Sequence, residues 1–158
     1  MKAGAFFFLL ASALAMPAAA QDEKKVPYWA SIASGEAMTR TGPARTYPGI
    51  WLYKRYDLPV KVVQRHENWR KIEDPEGDQG WMLVTLLSDR RTAMVKDGAP
   101  REVASKASGG AVRYRVEAGT VGRIDHCDGR ACHIAFGTKD GWIAQTDLFG
   151  LEPGETIE

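Results

Sequence analysis

Landmark residues of this 158-residue chain recur at one interval of 61 residues. The recurring pairs are Tyr53 and Tyr114, Val60 and Val121, Val63 and Ile124, Gly80-Trp81 and Gly141-Trp142, and Leu87 and Leu148. Self-similarity at a fixed interval indicates a tandem duplication, with a one-residue slip expected in the turn at 74–78. We therefore expect two related units of about 60 residues each, joined around residues 96–100, where Asp-Gly and Pro predict a break.

Each unit consists of short apolar or alternating runs that are broken by Gly, Pro, Asn and Asp, a pattern typical of strands. The strand candidates are 58–63, 69–72, 80–84, 111–116, 120–124, 131–136 and 141–144. After the first 20 residues, no stretch keeps apolar residues at helical spacing over three turns. The sequence therefore predicts an all-β protein, with Trp69, Trp81 and Trp142 in its core.

The N-terminal 20 residues, MKAGAFFFLLASALAMPAAA, have the pattern of a secretory signal peptide with cleavage after Ala20. Their apolar run is shorter than the ~20 residues that a membrane-spanning helix needs. Removing them removes Lys2 and leaves 20 positive and 20 negative side chains. Neutrality argues against a nucleic-acid partner and against binding to anionic lipid. We expect a polar leader at 21–27 and a soluble protein that is periplasmic or secreted.

Two cysteines, Cys127 and Cys132, flank an Asp-Gly turn signal. An even cysteine count in an exported chain favours a disulfide, and a ring this short would stabilise the fold by ~2 kcal/mol. With His126 and His133 the same residues form a zinc-like donor set. Neighbouring residues on a strand point to opposite faces, so converging cysteines would leave the histidines on the other face, and no metal is expected. A redox role for the cysteine pair stays open.

No pattern of an active site is present. The G-x-S-x-G motif does not occur, and His66, His126 and His133 have no catalytic motif around them. Asp74, Glu76 and Asp78 share one loop but lack the ligand pattern of a calcium loop. We expect no enzymatic activity and no cofactor.

A cluster of large side chains surrounds Pro48-Gly49. Its members are Arg45, Tyr47, Trp51, Tyr53 and Tyr56. This is more than one short loop needs for packing, and aromatic rings with a polar tip hold sugars and peptides in grooves. The cluster is the candidate ligand-binding site. The alternative is that Tyr47 and Tyr53 cap the core while Trp51 packs against the second unit.

The first unit contains four motifs in order: Arg40-Thr41-Gly42-Pro43 with Tyr47, Leu58–Val62, Asn68–Ile72, and Gly80-Trp81 followed by Leu86-Leu87. Together these motifs resemble the bacterial SH3-like (SH3b) domain family. The run from Arg90 to Val95 is similar to the segment that joins two such domains in exported alphaproteobacterial proteins. The resemblance implies two small, partly open β-barrels in tandem, at 28–95 and 96–152, with a C-terminal tail at 153–158. The second barrel is divergent, since it lacks the Arg-x-Gly-Pro motif.

The same resemblance implies a binding role rather than catalysis. The expected partner is cell-wall peptidoglycan, or an envelope peptide or protein, recognised through the aromatic cluster. Two alternatives remain: a scaffold or assembly module of the cell envelope without a small ligand, and a metal or redox protein that uses Cys127 and Cys132. The sequence leaves the oligomeric state open.

Overall fold

The structure, a computed structural model, describes residues 24–158. The signal peptide predicted at 1–20 and the first part of the polar leader lie outside the described residues. Within 24–158 the chain is all-β, as predicted, and its helical segments are the 3₁₀ turns at Val84–Leu86 and Gln145–Asp147. None of the helical segments in this range is long and apolar enough to cross a membrane.

Fifteen strands in the described range form two antiparallel sheets. The first sheet contains β1 (Tyr28–Ile32), β2 (Ala37–Arg40), β3 (Gly49–Tyr53), β4 (Pro59–His66), β5 (Trp69–Glu73), β6 (Gln79–Leu83) and β7 (Leu87–Ser88). The second contains β8 (Thr92–Val95), β9 (Arg101–Lys106), β10 (Gly109–Val116), β11 (Val121–Asp128), β12 (Ala131–Phe136), β13 (Lys139–Ala144), β14 (Leu148–Phe149) and β15 (Thr156–Ile157). We call β1–β7 the first unit and β8–β15 the second unit.

The two sheets have the same strand order. The first runs β3-β2-β6-β5-β4-β1-β7 and the second β10-β9-β13-β12-β11-β8-β14, with β15 added beside β11. Both are consistent with small, partly open SH3-like barrels. Because the order is the same, each ladder position of one unit can be compared with its equivalent in the other.

Equivalent ladder positions correct three of the pairs expected from the interval of 61. Val121 occupies the position of Pro59 rather than Val60. Ile124 occupies the position of Val62 rather than Val63.

Tyr53 occupies the position of Val116, not of Tyr114. Tyr114 instead matches Trp51. The reason is that the first unit is one residue longer in the β3–β4 loop as well as in the β5–β6 turn. The sequence showed only the second of these two insertions.

The change from one sheet to the other lies earlier than the sequence suggested. Residues Thr92–Val95 pair with β11 and β14 and so belong to the second sheet. The break expected at 96–100 is the loop between β8 and β9. By strand pairing, the first unit ends at Ser88.

Each sheet encloses its own apolar core. Residues that are fully buried include Ile32, Val60, Val62, Ile72 and Met82 in the first unit, and Val95, Val103, Cys127, Cys132 and Ile134 in the second. Trp69 is buried, as predicted. Trp81 and Trp142 are only half-buried and lie outside both cores.

The two units contact each other through polar and apolar groups. Asp57 of the first unit accepts hydrogen bonds from Arg90, at 3.0 Å, and from Arg123 of the second unit, also at 3.0 Å. The Trp29 ring meets the Phe149 ring edge-on, with 5.0 Å between centroids. Met94 packs against the core of the first unit although its strand belongs to the second sheet. A side chain from the second sheet therefore contributes to the apolar packing of the first unit.

Candidate functional site

Exposed apolar side chains are concentrated on one segment of the first unit. Residues 24–158 contain six large hydrophobic residues that are exposed: Tyr47, Ile50, Trp51, Leu52, Tyr56 and Val112. Five of these six lie between residues 47 and 56. Trp51 is the most exposed, at 61%. This exposure argues against the part of the alternative in which Trp51 packs against the second unit, whereas Tyr53 lies in the core, as that alternative expected.

These side chains lie on and around β3, the strand at the end of the first sheet. β3 pairs only with β2, so one of its edges is open. The Trp51 carbonyl accepts a hydrogen bond from the Thr39 hydroxyl at 3.3 Å and so faces β2. Backbone groups of successive residues alternate in direction, so the amide and carbonyl of Leu52 face outward. The open edge combines apolar side chains with unpaired backbone groups, which is the arrangement that accepts another strand.

Tyr53 is placed differently from its neighbours on β3. It is only 7% exposed and belongs to the core of the first unit. Its hydroxyl donates a hydrogen bond to the Asp74 carboxylate at 2.9 Å. Burial, followed by this hydrogen bond and the nearby carboxylates, raises the pKa of the Tyr53 phenol well above its usual range. Tyr53 thus joins β3 to the β5–β6 turn.

The β5–β6 turn presents two carboxylates beside β3. The Asp74 side chain closes the turn by accepting the backbone N–H groups of Glu76, at 3.1 Å, and Asp78, at 2.8 Å. Gly77 has a φ of 89°, a left-handed conformation that favours glycine. In the described range, neither the Glu76 nor the Asp78 carboxylate has an ion-pair partner. Their charges are therefore free to attract a ligand.

An open cleft of about 380 Å³ lies between β3 and this turn. Its lining residues are Trp51, Leu52, Tyr53, Lys54, Arg55, Leu58, Asp74, Glu76, Asp78 and Met94. One part of the lining is apolar and includes Trp51, Leu58 and Met94. The other part is charged and contains three carboxylates, on Asp74, Glu76 and Asp78, besides the basic residues Lys54 and Arg55. The cleft can therefore bind a group that has both an apolar surface and a positive charge.

Two of the five residues predicted for ligand binding, Trp51 and Tyr53, line this cleft. The other three lie outside it. Arg45 is exposed. The Tyr47 ring lies so close to Gly42 that a side chain there would clash with it, and Arg40 donates a hydrogen bond to the Tyr47 carbonyl at 2.8 Å.

Tyr56 is half exposed and directly precedes Asp57, which accepts hydrogen bonds at the contact between the units. Sequence reasoning missed the contribution of the β5–β6 turn to this cleft, since Glu76 and Asp78 were weighed only as calcium ligands. It also missed Met94, which no local signal connects with β3 because it comes from the second sheet.

The predicted disulfide is confirmed. Cys127 and Cys132 face each other on β11 and β12 and are bonded, with Cα atoms 4.1 Å apart. His126 and His133 lie on the opposite face, where both rings contact Trp142 at centroid distances of 5.8 and 5.4 Å. The two sulfurs are joined to each other and do not act as thiolate ligands. Within residues 24–158, no group of three or more His, Cys, Asp or Glu side chains is arranged so that it could hold a metal ion.

One segment of the chain matches a known protein family. Residues 33–89 match the family model of the bacterial SH3 domain. The first unit is therefore similar to the bacterial SH3 domain from β2 to β7. This confirms the family resemblance of the first-unit motifs, and the match ends at residue 89, before β8. All residues that line the cleft beside β3, except Met94, lie in this matched segment.

Other comparisons add two solved structures. The structure of NlpC2 from Trichomonas vaginalis is 12% identical, with a TM-score of 0.33, and the match covers 80% of this chain and 49% of that one. The structure of NlpC1 from Trichomonas vaginalis is 13% identical, with a TM-score of 0.33, and the match covers 85% and 50%. The chain thus spans about half the length of either structure. No match is found among curated proteins.

Proposed function

We propose that this protein is a non-enzymatic binding module of the cell envelope and that its bacterial SH3 domain recognises cell-wall peptidoglycan. The ligand lies along β3 and contacts the exposed aromatic residues of the segment 45–56. An envelope peptide or protein is the other ligand that this surface could take, and the experiment below distinguishes the two.

One observation carries this proposal: the exposed apolar side chains are concentrated on β3 and its flanking loops. Large apolar side chains that are exposed and concentrated in one segment of a small domain indicate a binding surface. Trp51, Tyr47 and Tyr56 are amphipathic aromatics, the residue types that pack against sugar rings and peptide chains while remaining hydrated. Arg45 adds a positive charge at the start of the segment.

Sedimentation with purified peptidoglycan sacculi tests the proposal. We expect the wild-type chain to sediment with sacculi and Trp51→Ala to lose at least about tenfold in retention, because a central tryptophan often dominates a binding surface. Val112→Ala is the matched control, since Val112 is also exposed, at 48%, but lies on the second unit. Equal retention of both variants would contradict the proposal. Absence of wild-type retention, with capture of a defined envelope protein instead, would favour the other ligand.

A second candidate function, assembly of envelope proteins, is favoured by the open edge of β3. An apolar edge strand can pair with another copy of itself as well as with a ligand. Light scattering after size exclusion tests this candidate. A dimer that Trp51→Ala converts to monomer would support assembly, and a monomer at all concentrations would exclude self-assembly.

We also propose that the chain is exported and that the second unit is a divergent copy of the first. The signal-like N terminus and the disulfide support export. The shared strand order supports duplication. Mass spectrometry of the periplasmic and extracellular fractions tests export, because a mature chain beginning at Gln21 is expected there.

A further inference from the structure

The second unit shows what occupies the position equivalent to the acidic side of the cleft. There, Tyr114 takes the ladder position of Trp51, and Lys139 takes the position of Asp78. The Lys139 ammonium lies 5.4 Å from the centre of the Tyr114 ring. A cation held near an aromatic face is attracted by the negative face of the ring. The second unit thus supplies its own cation to the aromatic residue of its edge strand.

The first unit has an aromatic residue, Trp51, at this position of its edge strand, but its β5–β6 turn carries no cation. Where the second unit has Lys139, the first has Asp78, and Glu76 lies on the same turn. Both line the cleft with Trp51. In the second unit this position carries the ammonium group of Lys139. In the first unit it carries the carboxylate of Asp78, which attracts an ammonium group from a ligand.

The two basic residues that line the same cleft have other partners. Lys54 lies 3.8 Å from Glu36, which is outside the cleft lining. Arg55 donates a hydrogen bond to the Gly119 carbonyl of the second unit. Asp74, the third acidic residue, is used by Tyr53 and by the turn backbone. Glu76 and Asp78 therefore remain as the carboxylates that can receive a positive group from a ligand.

We infer that the cleft binds an extended peptide that carries a side-chain ammonium group, with the ammonium held against Trp51 by Glu76 and Asp78. The peptide lies along the open edge of β3, where the Leu52 backbone can pair with it. This inference rests on the proposed function, because it names the chemical group that the same surface recognises.

Blocking amines on the ligand tests the inference separately from the proposed function. Sacculi are divided into an untreated and an N-acetylated sample, and each is incubated with the purified chain. A labelled hexapeptide with one lysine, and the same peptide with Nε-acetyl-lysine, serve as defined probes in fluorescence anisotropy. We expect acetylation to weaken binding about fivefold or more in both assays.

Variants of the β5–β6 turn test whether Glu76 and Asp78 are the residues that recognise the ammonium group. Glu76→Gln/Asp78→Asn should reduce binding of the untreated ligands to the level of the acetylated ones. Asp78→Lys should do the same, because it places an ammonium group where the second unit has Lys139. The control is Asp97→Asn/Glu117→Gln, which removes the same charge from exposed positions of the second unit and should bind as wild type.

The outcomes separate the two claims. Equal binding of acetylated and untreated sacculi, with retention still lost in Trp51→Ala, would overturn the ammonium inference and leave the proposed function standing. Binding of the lysine peptide but not of sacculi would support the inference and contradict peptidoglycan as the ligand. Failure of the chain to distinguish the two peptides would overturn the inference.

Discussion

The edge strands of the two units occupy equivalent positions in their sheets but carry different side chains. β3 and β10 take the same place in their sheets, and both have a register shift at the same ladder position. The first presents Ile50-Trp51-Leu52, where the second presents Arg113-Tyr114-Arg115. In the second unit Arg115 pairs with Glu102 at 2.7 Å and Arg113 approaches Asp140 at 3.5 Å.

Charged side chains are a common protection of an open sheet edge against further pairing. The second unit has this protection and the first does not. The first unit therefore keeps an apolar edge that can accept a ligand. The charged edge of the second unit is protected against pairing, and we propose that the second unit instead stabilises the protein. Its disulfide and the contacts of its C-terminal strand fit that supporting role.

The largest expected effect comes from giving the first edge the chemistry of the second. Ile50→Arg/Trp51→Tyr/Leu52→Arg should reduce retention on peptidoglycan by about 30- to 100-fold, or about 2–3 kcal/mol, because it removes the exposed apolar surface. All three side chains are exposed, so we expect the melting temperature to change little. Unchanged retention would show that β3 is not the binding edge.

Removing the disulfide should affect the stability of the second unit rather than binding. Cys127→Ala/Cys132→Ala should lower the free energy of unfolding by ~2 kcal/mol, measured by urea denaturation, because the unfolded chain gains conformational freedom. A reducing agent should destabilise the wild type by a similar amount and leave the variant unaffected. Loss of peptidoglycan binding in the folded variant would contradict the division of roles.

A smaller effect is expected at the ion pair that joins the C-terminal segment to the start of the second unit. Arg91 donates to both carboxylate oxygens of Glu155, at 2.6 and 3.1 Å. These hydrogen bonds, chiefly, lower the pKa of Glu155 below its ordinary 4.5. Glu155→Gln should cost about 1–1.5 kcal/mol of unfolding free energy at pH 7.

The pH dependence of that difference follows from the direction of the shift. A lowered pKa in the folded state gives stability that is present above the ordinary pKa and is lost as pH falls through the folded-state value. The difference between wild type and Glu155→Gln should therefore shrink in acid. Glu158→Gln, at the exposed C terminus, is the control, and a pH-independent difference would contradict the assignment.

The smallest effect is expected where the two units meet. Asp57 has a φ of 60°, which asparagine tolerates, so Asp57→Asn should keep the backbone and remove the charge that faces Arg90 and Arg123. Both arginines are substantially exposed, so the expected loss is about 0.5 kcal/mol. Calorimetry should show a slightly lower melting temperature, and a loss of several kcal/mol would mean that this contact holds the units together.

Local patterns in the sequence were sufficient to predict the all-β class, the disulfide and seven of the fifteen strands that the structure describes, but not β1, β2, β3, β8 or β9. Alternation and turn signals indicate strands directly, and the Asp-Gly turn brings Cys127 opposite Cys132. The ladder register was harder, because a one-residue insertion between Tyr53 and Pro59 leaves the flanking strand patterns intact. Because residues 53 and 114 are both tyrosine, the sequence suggested a match between them that the strand pairing does not show.

The candidate site was predicted only in part for a similar reason. Richness in aromatic residues identified the segment 45–56 but could not distinguish buried Tyr53 from exposed Trp51. That difference depends on which side chain reaches Asp74 across the barrel. The acidic side of the cleft and Met94 come from distant segments, so they become visible only when the strands are placed beside each other.

Hydrogen–deuterium exchange with soluble fragments of digested peptidoglycan tests the unequal roles of the two edges most directly. We expect amide protection on ligand addition in the peptides that cover Gly49–Tyr53 and no change in those that cover Gly109–Val116. Protection of β10 instead of β3, or of neither strand at saturating ligand, would contradict the account.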